Sequence, residues 1–374
     1  MATSFRKFSK RSLIVINLLV VVVFLFSCLS PITNPSKYWM ITILGLAFPF
    51  LLILNVLFII FWGLWRKRAV FLSIIALLIG WKSVRVSFAF HKRVMFDPHK
   101  QEGTIRVASW NVARFIEWKR NNNKGSQQRL KIMDQLRKYD ADILCLQEFF
   151  HSPDSLYYNN IDVIQAMGYR YHYFSYDPDG SNQYIGSVIF SRYPIIDSGM
   201  VRYFRPSMPE ALIYADIKAG NDTLRVFTTH LQSVQFRKND YEAMDRVTQV
   251  EDSFFVSTKT VVGKLKKALI YRSTQAKVVR DILDNSPYPY LLCGDFNDIP
   301  NSFTYFKIRG NMKDAFLEKG FGMGRTFSSI SPTLRIDYIL TDPDFSTRQF
   351  ERVINKNSDH YMLRADIHLD KKSQ

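Results

Sequence analysis

The stretch that decides the fold is Leu291-Leu292-Cys293-Gly294-Asp295-Phe296-Asn297-Asp298, near the C-terminal end of a 374-residue chain. A short apolar run ends here in glycine and is followed by an acid and an amide. Such a run bounded by turn residues is typical of a buried strand. Its end presents Asp295 and Asn297 at one edge of a sheet, where catalytic groups are common. Because Asp and Asn are also ordinary turn residues, this motif alone does not distinguish a site from a turn.

Five further segments repeat the arrangement of an apolar strand with polar residues at one end. Their polar residues are amides, carboxylates and imidazoles: Asn111, Glu148, His230, Asp337, Asp359 and His360. Carboxylate and amide oxygens bind hard divalent cations, whereas hydrolysis needs a base for water and a proton donor for the leaving oxygen. One shared site would provide all of these groups.

Seven motifs, taken in order, resemble those of the endonuclease/exonuclease/phosphatase superfamily, which includes deoxyribonucleases, apurinic endonucleases and neutral sphingomyelinases. They are Ser109-Trp110-Asn111, Gln147-Glu148, Ser191-Arg192-Tyr193-Pro194, Thr229-His230-Leu231, Gly294-Asp295-Phe296-Asn297, Arg335-Ile336-Asp337-Tyr338 and Ser358-Asp359-His360. The resemblance covers residues 103 to 370. It implies a four-layered α/β-sandwich, in which two packed mixed β-sheets are flanked by helices, and a hydrolase that acts on phosphoester bonds.

The resemblance also implies a metal site that holds Mg²⁺ or Mn²⁺. Glu148 is expected to be the main metal carboxylate, with Asn111 and Asp359 completing or flanking the site. Ala113 stands where the apurinic-endonuclease branch has an acid. This departure argues against an abasic-site nuclease but leaves the hydrolase interpretation intact.

The catalytic residues implied by the resemblance form a second group. Asp295 is expected to polarise the attacking water, and Asn297 to orient that water or to hold the phosphate. His360 and His230 are expected to contact the scissile phosphate, while Asp337 orients the ring of His360. The mechanism implied is metal-assisted attack of water on phosphorus.

Two segments before the Asp295 strand leave alternatives open. The run Arg272-Ser273-Thr274-Gln275-Ala276 resembles the family pattern, yet an exposed polar helix face explains it equally well. Aromatic and basic residues alternate from Val234 to Ile270. This segment is either a lid or membrane-facing arm, or a pair of amphipathic surface helices.

The first hundred residues have a different composition, which predicts a membrane anchor over residues 1–95. Apolar runs predict transmembrane helices at about 13–29, 39–65 and 69–90, the third being interrupted by basic residues. A cleaved signal peptide would explain the first run, but not the two that follow. The catalytic domain is predicted to occupy residues 103–374.

Basic residues flanking these runs predict the orientation. Four of them precede the first run, only Lys37 lies between the first two, and Arg66-Lys67-Arg68 separates the second from the third. The positive-inside rule then places the N-terminus in the cytoplasm and, with three spans, the catalytic domain outside it. Lys82, Arg85 and the basic residues after them argue in the opposite direction. The predicted location is the cytoplasmic (inner) membrane, with the catalytic domain extracytoplasmic.

Charge and cysteine content narrow the function further. The chain has a net charge of +17, but residues 1–100 hold 13 basic residues and one acid, which leaves only +5 for the remaining residues. The predicted catalytic domain therefore lacks the strong basic excess of many nucleic-acid-binding proteins. Three cysteines, at positions 28, 145 and 293, indicate neither a disulfide framework nor a thiolate metal cluster.

Three functions remain open at the level of sequence. The first is a membrane-anchored, divalent-metal-dependent phosphohydrolase, most plausibly a phosphodiesterase. The second is an endonuclease or exonuclease, and the third is a catalytically inactive interaction module. The expected partners are the lipid bilayer and a phosphoester substrate, which is a lipid head group, a small molecule or nucleic acid. No protein partner is evident.

Overall fold

The computed structural model of the chain describes residues 2–65, 67–92, 94–115, 127–203, 210–234, 253–329 and 331–370, apart from the side chains of residues 2–9 and 253–259. These residues form two compact units. The first comprises Met1–Phe88, Ser233–Thr274 and Ile299–Lys307, and the second comprises Ala89–Gln232, Gln275–Asp298 and Ile308–Gln374. The boundary between an anchor at 1–95 and a catalytic domain at 103–374 stays a prediction.

The first unit contains five helices near the N-terminus: α1 (Ala2–Ser27), α2 (Pro35–Gly45), α3 (Phe48–Leu64), α4 (Val70–Ile79) and α5 (Trp81–Ser87). Phe24, Phe48 and Ala76 pack together in its core. Large apolar side chains on the outside of the same helices are exposed, among them Leu19 and Leu78. A helix that is apolar all round is buried in protein or in lipid.

By length and composition, one helix can cross a membrane, through its segment Lys10–Ser27. The other two predicted spans are each broken in the described part of the chain. A bend of 45° separates α2 from α3, and a bend of 76° separates α4 from α5. If each bent pair counts as one span, up to three spans are present. The second apolar run, predicted as one helix over 39–65, is thus two helices.

The second unit is built from fifteen strands in its described residues, joined by shorter helices. The strands are β1 (Ala89–Phe90), β2 (Thr104–Asn111), β3 (Ile143–His151), β4 (Tyr171–Phe174), β5 (Asp177–Gly180), β6 (Gln183–Ser191), β7 (Ile195–Arg202), β8 (Ala211–Ala219), β9 (Asp222–His230), β10 (Tyr290–Asp295), β11 (Lys313–Asp314), β12 (Phe321–Gly322), β13 (Asp337–Thr341), β14 (Phe345–Val353) and β15 (Met362–Leu369).

Its helices include α6 (Gln128–Tyr139), α7 (Asn160–Gln165) and α10 (Ala315–Lys319), with a short 3₁₀ turn at Ala113–Phe115. Two further helices have residues in both units: α8 (Ser253–Asp284) and α9 (Phe303–Arg309). The helix predicted at Gln128 to Tyr139 is confirmed. Of the segment Val234 to Ile270, predicted as a lid, an arm or a helix pair, residues 235–252 lie outside the described residues, and residues 253–270 belong to α8.

Two mixed sheets form the centre of the second unit. One has the strand order β11-β13-β10-β9-β8-β7, and the other has the order β14-β15-β2-β3-β6-β4, with β5 paired to β6. Apolar residues from both pack between them, such as Val107 and Cys145 from one sheet and Val226 and Cys293 from the other. A second core covers the outer face of β3 with Ile132 of α6. The predicted α/β-sandwich with two packed mixed sheets is confirmed.

Candidate active site

Strand register brings three of the predicted residues into one row across the first sheet. Asp295 ends β10 and lies opposite His230, which ends the parallel strand β9. On its other side, Asp295 lies opposite Asp337, which begins the antiparallel strand β13. The carboxyl ends of β9 and β10 and the start of β13 therefore meet at one edge of the sheet.

A tight turn after β10 fixes Asp295 and Asn297 relative to each other. Gly294 has a φ of +150°, and a Cβ at this position would lie 2.1 Å from the Thr229 carbonyl oxygen, so only glycine fits here. The backbone N–H of Asn297 donates to Asp295 Oδ1 at 2.8 Å. Asn297 itself has a φ of +52°, a left-handed conformation that asparagine tolerates. The strand prediction for this motif is confirmed, and its end is a constrained turn.

The side-chain amide of Asn297 connects this turn to the β9 strand end. Its Nδ2 donates to the Leu231 carbonyl at 2.9 Å and lies 3.0 Å from His230 Nε2. The Leu231 N–H in turn donates to the Asp295 carbonyl at 2.9 Å. These contacts hold the side chains of His230 and Asn297 on the same side of the site.

Glu148 and Asn111 come from the second sheet. The β3–β6 pairing shifts register between Leu146 and Phe149, and Glu148 lies in this irregularity with a φ of +49°. Bulges and positive φ angles are common next to active sites, because they redirect a side chain. Asn111 Nδ2 donates to Glu148 Oε1 at 3.3 Å and to Asp295 Oδ2 at 3.1 Å. This amide thereby joins the polar residues of the two sheets.

Two buried side chains hold His360, one through its ring and one through its backbone. Its Nδ1 lies 3.0 and 2.9 Å from the two carboxylate oxygens of Asp337. The indole N–H of Trp110 donates to the His360 carbonyl at 2.9 Å. Burial by itself lowers the pKa of His360, but the carboxylates of Asp337 and Asp295 outweigh burial and raise the pKa to about 10. His360 is therefore an imidazolium at neutral pH.

Asp295 lies where these groups converge. Its Oδ2 is 3.6 Å from His360 Nε2 and 3.6 Å from His230 Nε2. Burial, together with the nearby Asp337 carboxylate, raises the pKa of Asp295 to about 6. A carboxylate with this pKa is a stronger base than an ordinary aspartate and is still largely ionised at neutral pH.

Asp359 differs from the other predicted residues. Its side chain is exposed and accepts a hydrogen bond from Ser358 Oγ at 3.3 Å. Among the described residues, its carboxylate makes no hydrogen bond to Glu148 or Asn111. The structure brings the other seven predicted residues together, whereas the role of Asp359 as a metal ligand stays a prediction.

Gln275 is not part of an exposed polar helix face. It is only 4% exposed, and its Nε2 donates to Glu210 Oε2 at 2.9 Å. Its Oε1 accepts from the backbone N–H of Gln232 at 2.9 Å. Because Gln232 follows the His230–Leu231 segment that carries site contacts, Gln275 is a positioning residue for that segment. Of the two sequence interpretations, the structure favours a role at the site.

Sequence reasoning missed Arg114, which lies beside Glu148. Its Nε is 4.0 Å from Glu148 Oε2, and its Nη1 donates to Asp179 Oδ2 at 3.3 Å. Ala113, Arg114 and Phe115 all have φ angles between +47° and +60°, a left-handed run that sequence propensity argues against. The sequence offered one signal for Arg114, which is that it lies three residues after the predicted site residue Asn111.

Comparison with known proteins identifies the family. Residues 108–360 match the description "Endonuclease/Exonuclease/phosphatase family". The chain belongs to the endonuclease/exonuclease/phosphatase family. Members of this family are hydrolases of phosphoester bonds and typically use a divalent metal. Residues 10–87 match a separate domain of unknown function, DUF8431.

The sequence identity between the chain and individual members of this family is low. The chain is 27% identical over 219 residues to Protein angel homolog 2 of Danio rerio, and this alignment covers 57% of the chain but only 34% of that protein. A family member from Beutenbergia cavernae has a similar structure, with 18% identity, a TM-score of 0.51 and coverage of 72% of both chains. The human Nocturnin catalytic domain gives 18% identity, a TM-score of 0.50 and coverage of 72% and 96%. These structural similarities support the fold.

The donor set fits the divalent metal that this family typically uses. Glu148 offers a carboxylate, which is a hard-cation ligand, and its side chain is 32% exposed. Asn111 presents Nδ2 to Glu148, and its Oδ1, which accepts from the Ala113 N–H at 3.0 Å, keeps one lone pair for a cation. Asp295, Asp337 and His360 also place ligand atoms within 4.8 Å of one another. Both Asp337 oxygens, however, already contact His360 Nδ1, and a cation there would have to break this buried contact. The Glu148 side therefore fits a metal better.

Proposed function

We propose that the protein is a membrane-anchored phosphohydrolase that requires Mg²⁺ or Mn²⁺ and acts as a phosphodiesterase by attack of water on phosphorus. One observation carries this proposal. The Asp295 carboxylate lies 3.6 Å from the Nε2 atoms of both His230 and His360 and 3.1 Å from the amide of Asn111. A base, two phosphate contacts and the candidate metal ligands therefore meet at one point.

The buried groups divide the proton chemistry between them. Asp295 accepts the proton of the attacking water, a role that suits a carboxylate with a pKa of about 6. His360 directs Nε2 into the site, because Asp337 occupies its Nδ1. The resulting imidazolium stabilises the negative charge that develops on the phosphoryl oxygens. His230 and Asn297 supply a second pair of contacts to the phosphate.

The solvent-exposed side of the site, around Glu148, would supply further positive charge to the phosphate. A divalent cation held by Glu148 and Asn111 would neutralise a non-bridging phosphate oxygen, as such cations do in phosphoryl chemistry. The Arg114 guanidinium, beside Glu148, lies where it can contact a phosphoester on the same side. The third possibility from the sequence, a catalytically inactive module, is disfavoured because Glu148, Asp295, Asp337 and His360 are all present and assembled.

The membrane anchor in this proposal is supported by the geometry of the first unit. A Cβ on Gly80, at the end of α4, would lie 2.8 Å from Cys28 Sγ, just after α1. The ends of α1 and α4 therefore lie at the same end of the helix bundle. The chain would cross an odd number of times and leave on the side opposite its N-terminus. With the positive-inside rule, this supports an extracytoplasmic catalytic domain in the inner membrane.

A reporter that is active only after export, fused after Gln374, tests this orientation. We expect it to be active and added protease to reach the catalytic residues once any outer barrier is opened. A silent export reporter together with an active cytoplasmic reporter would place the catalytic residues in the cytoplasm.

The reaction is tested with the full chain in nanodiscs, using DNA, RNA, phospholipid, phosphodiester and phosphomonoester substrates, with Mg²⁺, Mn²⁺ or excess chelator. We expect metal-dependent hydrolysis of a phosphodiester that is not nucleic acid. Preferential cleavage of DNA or RNA would favour the nuclease alternative, to which the modest +5 charge of residues 101–374 lends no support. Full activity in chelator would contradict the metal assignment.

A further inference from the structure

The described side chains of the first unit carry charge of one sign. None of its residues with described side chains is Asp or Glu, whereas Lys and Arg occur throughout them. Proteins usually mix charges of both signs on a surface, because a cluster of like charges repels itself. The described side chains of this unit therefore present positive charge to an approaching anion.

Several of these basic residues lie at one end of the helix bundle, where α1 and α4 both end. Asn301 Nδ2 donates to the Ser27 carbonyl at 3.0 Å, which places the segment before α9 at this end. A Cβ on Gly45, the last residue of α2, would touch Ser30 and the Asn301 carbonyl. The α2 helix thus ends at the same place. We call this region the α1-exit surface.

Two lysines of the α1-exit surface lie over aromatic rings. Lys266 Nζ is 4.9 Å from the ring centroid of Trp39, and Lys82 Nζ is 5.2 Å from that of Phe306. Both lysines are exposed. A cation over a ring keeps its N–H donors available for an acceptor on the solvent side.

The same surface carries the aromatic side chains typical of a membrane interface. Tyr38 is 58% exposed and Trp81 is 49% exposed, and both are next to an exposed lysine, Lys37 and Lys82 respectively. Trp and Tyr are enriched at the level of lipid head groups, where one part of the ring is apolar and the other polar. Tyr38 and Trp81, each beside a lysine, are therefore the residue types expected at the level of the head groups.

We propose that the α1-exit surface binds the head groups of anionic phospholipids, with Lys82 and Lys266 as the principal phosphate contacts. Charge supports this occupant, because an anionic head group is attracted to exposed lysines on a surface whose described side chains include no Asp or Glu. Position supports it as well, because the cations stand beside interfacial aromatic residues at the end of apolar helices. The proposal rests on the membrane anchoring in the proposed function. It also gives a role to Lys82 and Arg85, which lie on a side that the positive-inside rule leaves poor in basic residues.

Native mass spectrometry of the full chain in mild detergent tests the proposal, with phosphatidylglycerol and phosphatidylcholine offered at equal concentration. We expect preferential retention of phosphatidylglycerol. The double variant Lys82→Gln/Lys266→Gln should lose roughly 25-fold in affinity, at about fivefold for each cation removed. The matched control, Lys67→Gln/Arg68→Gln, removes the same charge from the turn between α3 and α4, at the opposite end of the bundle, and should lose much less.

Four outcomes would overturn the proposal. These are equal retention of the two lipids, equal losses from the two double variants, displacement of the lipid by millimolar inorganic phosphate, and displacement by a short oligonucleotide. The last would indicate a nucleic-acid surface instead. Hydrolysis measured on the same samples keeps the two proposals apart. Lipid preference with no hydrolysis would count against the reaction alone, and hydrolysis without lipid preference would count against this surface alone.

Discussion

The two halves of the active site differ in their exposure to solvent. Asp295, Asp337 and His360 are buried to the point that at most 5% of each residue is exposed. Glu148, on the other side of Asn111, has 32% of its side chain exposed. Burial shifts pKa values strongly in the half that contains Asp295 and His360. Solvent access around Glu148 allows a cation to bind and exchange. The difference suggests that one half moves protons and the other binds the metal.

Removing the base should have the largest effect among the single variants. Asp295→Asn keeps the size of the side chain and an acceptor for the Asn297 N–H, but it cannot take a proton. We expect turnover to fall by at least about 100-fold, since a positioned base contributes 10²–10⁴-fold. Steady-state kinetics on the full chain measures this, with the exposed acid variant Asp222→Asn as control. Turnover within a few-fold of wild type would assign the base elsewhere.

The pair of His360 and Asp337 should act as one unit. His360→Ala is expected to reduce turnover by about 100-fold or more, and Asp337→Asn to do so in part, because Asp337 acts through the ring. The double variant should then be little worse than His360→Ala. Losses that multiply fully would show that the two residues act independently.

Gln275 should have a smaller effect, because it acts through the backbone of Gln232. We expect Gln275→Ala to lower kcat about tenfold, as for other residues that position a site indirectly. The melting temperature should also fall, because the buried Glu210 carboxylate and the Gln232 N–H each lose a hydrogen-bond partner. The exposed Lys277→Ala, on the same helix, serves as control. A fall in melting temperature with unchanged kcat would make Gln275 a purely structural residue.

The charge on His360 can be tested without turnover. In metal-free protein, NMR titration of the imidazole should give a pKa of about 10, well above the ordinary value of 6.5. In Asp337→Asn the pKa should fall, because burial then opposes the charge with less compensation. A raised pKa stabilises the fold at low pH, so this contribution should diminish as pH rises from about 6.5 through 10. An unshifted pKa in the wild type would remove the proposed imidazolium.

Much of the site was predictable from sequence, because each strand end carries its own local signal. The turn at Gly294 fixes Asp295 and Asn297 within four residues. The order of the seven motifs along the chain predicted the other site residues. Gln275 was ambiguous because its partner, Glu210, is 65 residues away. No local pattern distinguishes a buried amide with a distant partner from an exposed one.

The other differences between the sequence predictions and the structure also have physical causes. Arg114 lies beside Glu148 through a left-handed backbone run that residue propensities do not predict. The apolar run over 39–65 gave no sign of the bend between α2 and α3, since hydropathy records composition but not direction. Asp359 shares a motif with His360, yet it is exposed while its neighbour is buried.

Metal binding tests the division of the active site most directly. Mn²⁺ affinity can be measured by electron paramagnetic resonance on the full chain, comparing wild type with Glu148→Gln and Asp337→Asn. We expect Glu148→Gln to weaken binding by roughly tenfold or more and Asp337→Asn to leave it close to wild type. The reverse result, with binding lost in Asp337→Asn and retained in Glu148→Gln, would place the cation among the buried groups and contradict the account.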